Sequence, residues 1–104
     1  MRKLSVLVVI FALGLIVSGC ETEIVKYCRI IYDGNGGTSD NRPVDNTNYT
    51  AGQKAVVLQN TYNKTGSIFK HWNTHWLDSG TSYDPGDELE VTDSYFIHLY
   101  AIWE

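Results

Sequence analysis

Tyr27-Cys28-Arg29-Ile30-Ile31-Tyr32-Asp33-Gly34-Asn35-Gly36-Gly37 is the stretch from which the fold is read. Its first half is rich in strand formers, and a two-residue period places Cys28, Ile30 and Tyr32 on one face and Tyr27, Arg29 and Ile31 on the other. Its second half cannot continue a strand. Three glycines and an asparagine permit positive φ, which branched residues resist, so the strand stops at a turn.

Downstream the same alternation of strand and turn recurs. Residues 38–52 are polar, dominated by Asn, Asp and Thr with Pro43 among them, and read as a long excursion. Lys54 to Leu58 reads as a second short strand, and residues 59–67 as another polar connection closing near Gly66. Ile68 to Trp72 reads as a third strand. Leu77 to Gly86 carries turn signals at Asp78-Ser79-Gly80 and at Asp84-Pro85-Gly86-Asp87. Glu88 to Val91 reads as a brief pairing segment and Tyr95 to Trp103 as the last strand. No stretch repeats apolar residues three and four apart over three turns, so no amphipathic helix is expected and the domain is mostly β.

Upstream, the chain opens with Arg2 and Lys3, followed by the almost unbroken apolar run Leu4 to Val17. Charge followed by a short greasy run is the order of an export signal, and the run is shorter than the roughly 20 residues of a bilayer-spanning helix. Val17-Ser18-Gly19-Cys20 resembles the bacterial lipobox, which implies cleavage directly before Cys20 and acylation of its thiol. Acyl chains contribute about 0.8 kcal/mol per buried methylene, so a doubly or triply acylated terminus holds a small domain on a membrane. The expected organisation is therefore a signal peptide at 1–19, a lipidated anchor and spacer at 20–26, and one β domain at 27–104. Glu21 after the anchor cysteine, in place of Asp, is compatible with sorting to the outer membrane of a cell that has two.

The whole chain carries a net charge of −4, and removal of Arg2 and Lys3 with the signal takes it to about −6. Without a basic stripe to neutralise phosphates, nucleic acid is not an expected partner. Cys28 becomes the only free thiol once Cys20 is acylated, so no intramolecular disulfide is available and the core must come from the aromatics: three Trp, seven Tyr and three Phe in the chain, with only Phe11 lost in the signal.

Across the domain, Ile30-x-Tyr32-Asp33-x-Asn35-Gly36-Gly37, Tyr49-x-x-Gly52, Gly66-x-x-Phe69-x-x-Trp72, Tyr83-x-x-Gly86-Asp87 and Leu99-Tyr100-Ala101-x-Trp103 follow one another in an order that resembles the Listeria–Bacteroides repeat, also called the internalin B-repeat family. The resemblance covers Tyr27 to Glu104. It implies a compact, β-grasp-like domain with a mixed sheet, found in bacterial surface and secreted proteins and commonly in tandem arrays. His71 stands where that family usually has Gly before its Trp, and only one copy is present. Physically, Phe69, Trp72, Leu99, Ala101 and Trp103 are expected to meet across the sheet, the larger of these side chains contributing about 1.5–3 kcal/mol each by burial. The motif is then a folding signature, with no active site in it.

Candidate chemistry is sparse. His71 and His75 are four apart, but in a strand followed by a turn that spacing does not converge on a metal, and His71 is expected to point to solvent beside Trp72. Asp33-x-Asn35-x-Gly37 with Asp40 lacks the third oxygen ligand and terminal Glu of a calcium loop and reads as a tight turn. Cys28, mid-strand on the inward face, reads as a small hydrophobe rather than a nucleophile. The Asn48 and Asn63 sequons would not meet glycosylation machinery in a bacterial lipoprotein. No acid, base and nucleophile set converges, so neither an enzyme nor a cofactor is expected. Tyr49, Tyr62, Trp76 and Tyr83 lie in polar, turn-rich contexts and are the candidate anchors for a protein or glycan ligand. The expected function is a membrane-anchored surface lipoprotein presenting a small binding or adhesion module; the alternative is an accessory envelope lipoprotein with no soluble ligand.

Overall fold

The structure, a computed structural model, describes residues 24–104, so the signal peptide and the Cys20 anchor lie outside the described residues. Six strands follow one another: β1 (Arg29–Asp33), β2 (Lys54–Val56), β3 (Phe69–Asn73), β4 (Ser82–Tyr83), β5 (Glu88–Glu90) and β6 (Phe96–Trp103). Among the described residues there is no helix. A four-stranded sheet has the order β1-β6-β3-β4, and β2 and β5 form a separate antiparallel ribbon. The sheet is mixed. β1 and β6 are parallel, with Ile30 beside Ile97 and Tyr32 beside Leu99, whereas β6–β3 and β3–β4 are antiparallel. The mostly β, mixed-sheet expectation holds.

The core lies between the sheet and the ribbon. Ile30 and Tyr32 from β1, Trp72 from β3, and Leu99 and Ala101 from β6 pack with Ala55, Val57, Leu89 and Val91 of the ribbon region, and Cys28 completes the cluster. Cys28, Trp72, Leu99 and Ala101 are fully buried, while Phe69 and Trp103 are partly buried and pack against them. Tyr32, Phe69 and Tyr62 each present an edge-on contact to the Trp72 ring, at centroid distances of 4.9, 5.2 and 6.4 Å. The indole N–H of Trp72 donates to the Leu58 carbonyl at 3.0 Å, so the largest core side chain buries no unpaired polar atom.

The spacing of three between Phe69 and Trp72 has a structural cause. In a regular strand, residues three apart face opposite sides of the sheet. Here Phe69 pairs with Trp103, His71 with Ile102 and Trp72 with Ala101, so Lys70 is the extra residue of a β-bulge. The bulge resets the alternation and returns Phe69 and Trp72 to the same face, where Phe69 also meets Trp103 edge-on at 6.0 Å.

Two strand boundaries differ from the sequence reading in an informative way. β4 lies inside the stretch read only as turns, because Ser82 and Tyr83 pair with Asn73 and Trp72 between two turn signals. β3 runs on to Asn73, a residue with poor strand propensity that is held there by the bonds of its own side-chain amide.

Candidate binding site

The 34–37 turn begins the site. Gly37 N–H donates to Gly34 O at 2.9 Å, and Asn35 and Gly36 both have positive φ (48° and 95°), the pair of dihedrals that a type I′ turn demands. Asp33 Oδ1 accepts the Asn35 backbone N–H at 2.8 Å. The Asn35 amide then donates to Trp76 O and to Ala101 O, both at 2.9 Å, tying the β3–β4 loop to β6. Trp103 closes over the same turn, donating its indole N–H to Gly34 O at 2.9 Å. A Cβ on Gly37 would come within 2.7 Å of the Trp103 ring, and one on Gly34 within 2.6 Å of the Tyr62 ring. The Asp33, Asn35 and Gly37 trio is thus a structural joint, as the tight-turn reading expected.

Asn73 organises the β3–β4 loop. It is fully buried and uses every bonding position of its amide. Its Oδ1 accepts from the backbone N–H groups of His75 and Gly80 at 2.8 and 2.9 Å, and its Nδ2 donates to Asp78 Oδ1 and Ser82 Oγ, both at 3.0 Å. Asp78 sits in the left-handed region (φ 65°), held by this network.

His71 departs from its expected orientation toward solvent. Its Nε2–H donates to Asp78 Oδ1 at 2.7 Å, with a longer contact to Ser82 Oγ at 3.2 Å, and its side chain is only 16% exposed. The reason is the loop: Asp78 is folded back by Asn73 and presents an acceptor above β3. His75 is engaged elsewhere, its Nδ1 accepting the Leu77 N–H at 3.0 Å and its ring stacked on Trp76 at 5.8 Å. Among the described residues no group of three or more His, Cys, Asp or Glu side chains is placed to hold a metal ion. Cys28 is sealed in the core, and burial pushes its thiol up despite the opposing charge of Lys26.

The four candidate anchors separate clearly. Tyr49 pairs its backbone with Cys28 and donates its hydroxyl to Asp45 Oδ2 at 2.7 Å; burial and that bond push its pKa up. Asp45 is itself held below the usual carboxylate range: burial acts to raise it, but bonds from Tyr49 and Thr47 and the Arg29 charge outweigh burial. Tyr62 donates its hydroxyl to Tyr32 O at 2.9 Å and packs on the core, and Tyr83 packs there from β4. Trp76 is different. It is 54% exposed; its carbonyl accepts from Asn35, and its ring stacks only on the neighbouring His75.

Trp76 and the exposed Leu77 border an open groove of about 330 Å³ whose other walls are Asn35, Lys64, Lys70, Asp78, Ile102 and Trp103. Sequence reading proposed Trp76 but missed Leu77 and the two lysines, which come from the bulge and from the turn before β3. A second groove, about 180 Å³, runs along β1 beside Arg42 to Asp45. There Arg29 Nη2 donates to Asp45 O at 3.1 Å, a brace on the outer edge of the sheet, while Arg29 Nε is buried without a partner.

Comparison with known proteins agrees with this architecture. Two proteins of Evansella cellulosilytica are similar. One, named "Putative Gly-rich membrane protein", is 36% identical over 84 residues, covering 81% of this chain and 10% of the relative; the other, named "Putative membrane protein", is 33% identical over 72 residues, covering 69% and 11%. The chain therefore spans about a tenth of the length of these curated relatives. No solved structure matches it. The Listeria–Bacteroides repeat domain model matches residues 29–102, from the start of β1 almost to the end of β6, and the chain belongs to the Listeria–Bacteroides repeat family.

Proposed function

We propose that this chain is a membrane-anchored bacterial surface lipoprotein, tethered through Cys20, whose single repeat is a non-enzymatic binding module for a protein or glycan. The names of the two relatives support a membrane location. The observation that carries the binding reading is Trp76: a half-exposed indole on a loop whose backbone is fixed by Asn35 and Asn73, beside a groove with two lysines. A rigid aromatic with an apolar neighbour and a polar rim is the composition of an interaction hot spot, and it loses little conformational entropy when covered.

The test compares capture from envelope and matrix extracts by the lipidated protein, a soluble Cys20→Ser form and a Trp76→Ala form. Because Trp76 is hydrogen-bonded to the frame through its carbonyl and its half-exposed ring stacks only on the neighbouring His75, Trp76→Ala should lower the melting temperature little while weakening capture by about 2 kcal/mol or more, the loss expected at a hot spot. Equal capture of a defined ligand by wild type and Trp76→Ala would refute the groove as the contact surface. Capture of an envelope complex alone, and only by the lipidated form, would favour the accessory-lipoprotein reading instead.

A further inference from the structure

A second exposed patch lies at the opposite end of β1 and β6 from the groove. Because the two strands are parallel, both begin at one pole of the domain, with Arg29 beside Phe96, and both finish at the pole of the 34–37 turn and Trp103. At the starting pole, Ile24, Val25, Tyr27, Tyr95 and Phe96 are all at least half exposed. They are not a loose tail. Lys26 Nζ bonds Asp93 Oδ1 at 3.2 Å and sits 4.8 Å over the Tyr95 ring, and Arg29 N–H donates to Tyr95 O at 3.0 Å, so the segment entering β1 is fastened to the one entering β6.

The chain length between this patch and the tether decides what covers it. From Cys20 to Ile24 there are four residue steps, which span at most about 14 Å when fully extended. A domain held that closely cannot keep its starting pole far from the headgroups. Tyrosine and phenylalanine with aliphatic neighbours suit that depth, because the interface takes apolar bodies while leaving polar tips wet. Among the described residues the Asp93 carboxylate at this pole is paired with Lys26.

We propose that Ile24, Val25, Tyr27, Tyr95 and Phe96 form a lipid-contacting face that seats the domain on the membrane holding its anchor. This inference rests on the proposed Cys20 anchor. It has a functional consequence. β6 runs from Phe96 to Trp103, seven steps of about 3.3 Å, so a domain seated on this face holds the Trp76 groove up to roughly 23 Å further from the bilayer, the full value reached when β6 stands along the membrane normal.

The experiment uses lipidated protein purified from bacterial membranes and reconstituted in phosphatidylcholine vesicles, with a nitroxide attached at Phe96→Cys or, as reference, at Trp76→Cys. The buried Cys28 leaves the introduced thiol as the reactive one. Flotation first reports whether the protein stays on the vesicles. Collision with oxygen, which concentrates in lipid, and with a water-soluble nickel chelate then reports the surroundings of each label. The expected result is an oxygen-to-nickel accessibility ratio several-fold higher at position 96 than at 76. A label at 96 that is as open to nickel as the one at 76 overturns the proposal while leaving the anchor standing. A label at 96 shielded from both reagents also overturns it, pointing to a second copy of the chain on that face. Protein that fails to float overturns the anchor and this inference with it.

Discussion

Replacing Asn73 by Asp tests the organisation of the β3–β4 loop with almost no change in shape. The amide nitrogen that donates to Asp78 Oδ1 and Ser82 Oγ at 3.0 Å becomes an oxygen that cannot donate to either. The bond to the Asp78 carboxylate is charge-assisted and contributes about 1.5–3 kcal/mol; the bond to Ser82 contributes about 1 kcal/mol. In place of the first, two carboxylate oxygens face each other about 3 Å apart, a repulsion of about 5 kcal/mol at an effective dielectric near 20 before any relaxation. Rotation of the Ser82 hydroxyl and movement of Asp78 recover part of this, so a net destabilisation of about 3–5 kcal/mol at pH 7 is expected.

The pH dependence identifies the cause. A carboxyl buried at position 73 beside Asp78 has its folded-state pKa raised above the ordinary unfolded value of about 4. For such a group stability is fully present below the unfolded pKa and lost as pH rises through the folded one. The variant should therefore approach wild-type stability near pH 4 and fall behind as pH increases. Asn73→Ala, which leaves the His75 and Gly80 N–H groups without their acceptor but adds no charge, should be destabilised with no such trend. Urea unfolding followed by tryptophan fluorescence on the Cys20→Ser form measures both. A loss under about 1 kcal/mol for Asn73→Asp at pH 7, or a loss independent of pH, would refute Asn73 as the organiser of the loop.

Gly37→Ala forces the Trp103 ring, 2.7 Å from the new Cβ, to withdraw from the turn and strains its bond to Gly34 O; overpacking of this kind costs about 1–3 kcal/mol, read as a drop in melting temperature. Burial pushes the Tyr32 hydroxyl up to about 12 from an ordinary 10.0. Its contribution to stability is full below pH 10 and lost as pH rises toward 12, so Tyr32 should be the last tyrosine to ionise by absorbance at about 295 nm, after Tyr49 and Tyr62, which burial also raises, and Tyr32→Phe should remove that last step. Deleting Lys70 removes the bulge but leaves Phe69 and Trp72 two apart, so in a regular strand both still face the core opposite Trp103 and Ala101 and thermal unfolding should move down only slightly; a collapse of the melting temperature would refute Lys70 as the extra residue.

Much of the frame was legible because it rests on local chemistry. The alternation of Cys28, Ile30 and Tyr32, the stop at Asp33 to Gly37 and the register of Leu99 and Ala101 follow from period-two patterning and from residues that tolerate positive φ. The reading of Ile68 to Trp72 as a plain strand does not anticipate the bulge: only with Phe69 and Trp72 both known to face the core does their spacing of three require one. What was not legible depends on long-range contacts. A polar setting around Tyr49, Tyr62 and Tyr83 does not reveal that each packs on the core, and Asn73 looks like a loop residue until its four partners converge. His71 could not be oriented without knowing that Asp78 folds back above it.

The signature residues of the family meet at one seam although they come from both ends of the domain. Asn35 reaches Ala101 across 66 positions and Trp103 reaches Gly34 across 69, so the early glycine turn and the terminal strand close the same joint. That joint also holds Trp76, but by its carbonyl alone. A side chain at position 76 can therefore change without disturbing the bonds that define the fold, whereas a change at Asn35, Gly37 or Asn73 cannot. Binding and stability are separable at this loop for that reason: an effect of Trp76→Ala on capture reports contact with a ligand, because the backbone that carries the indole is fixed by other residues.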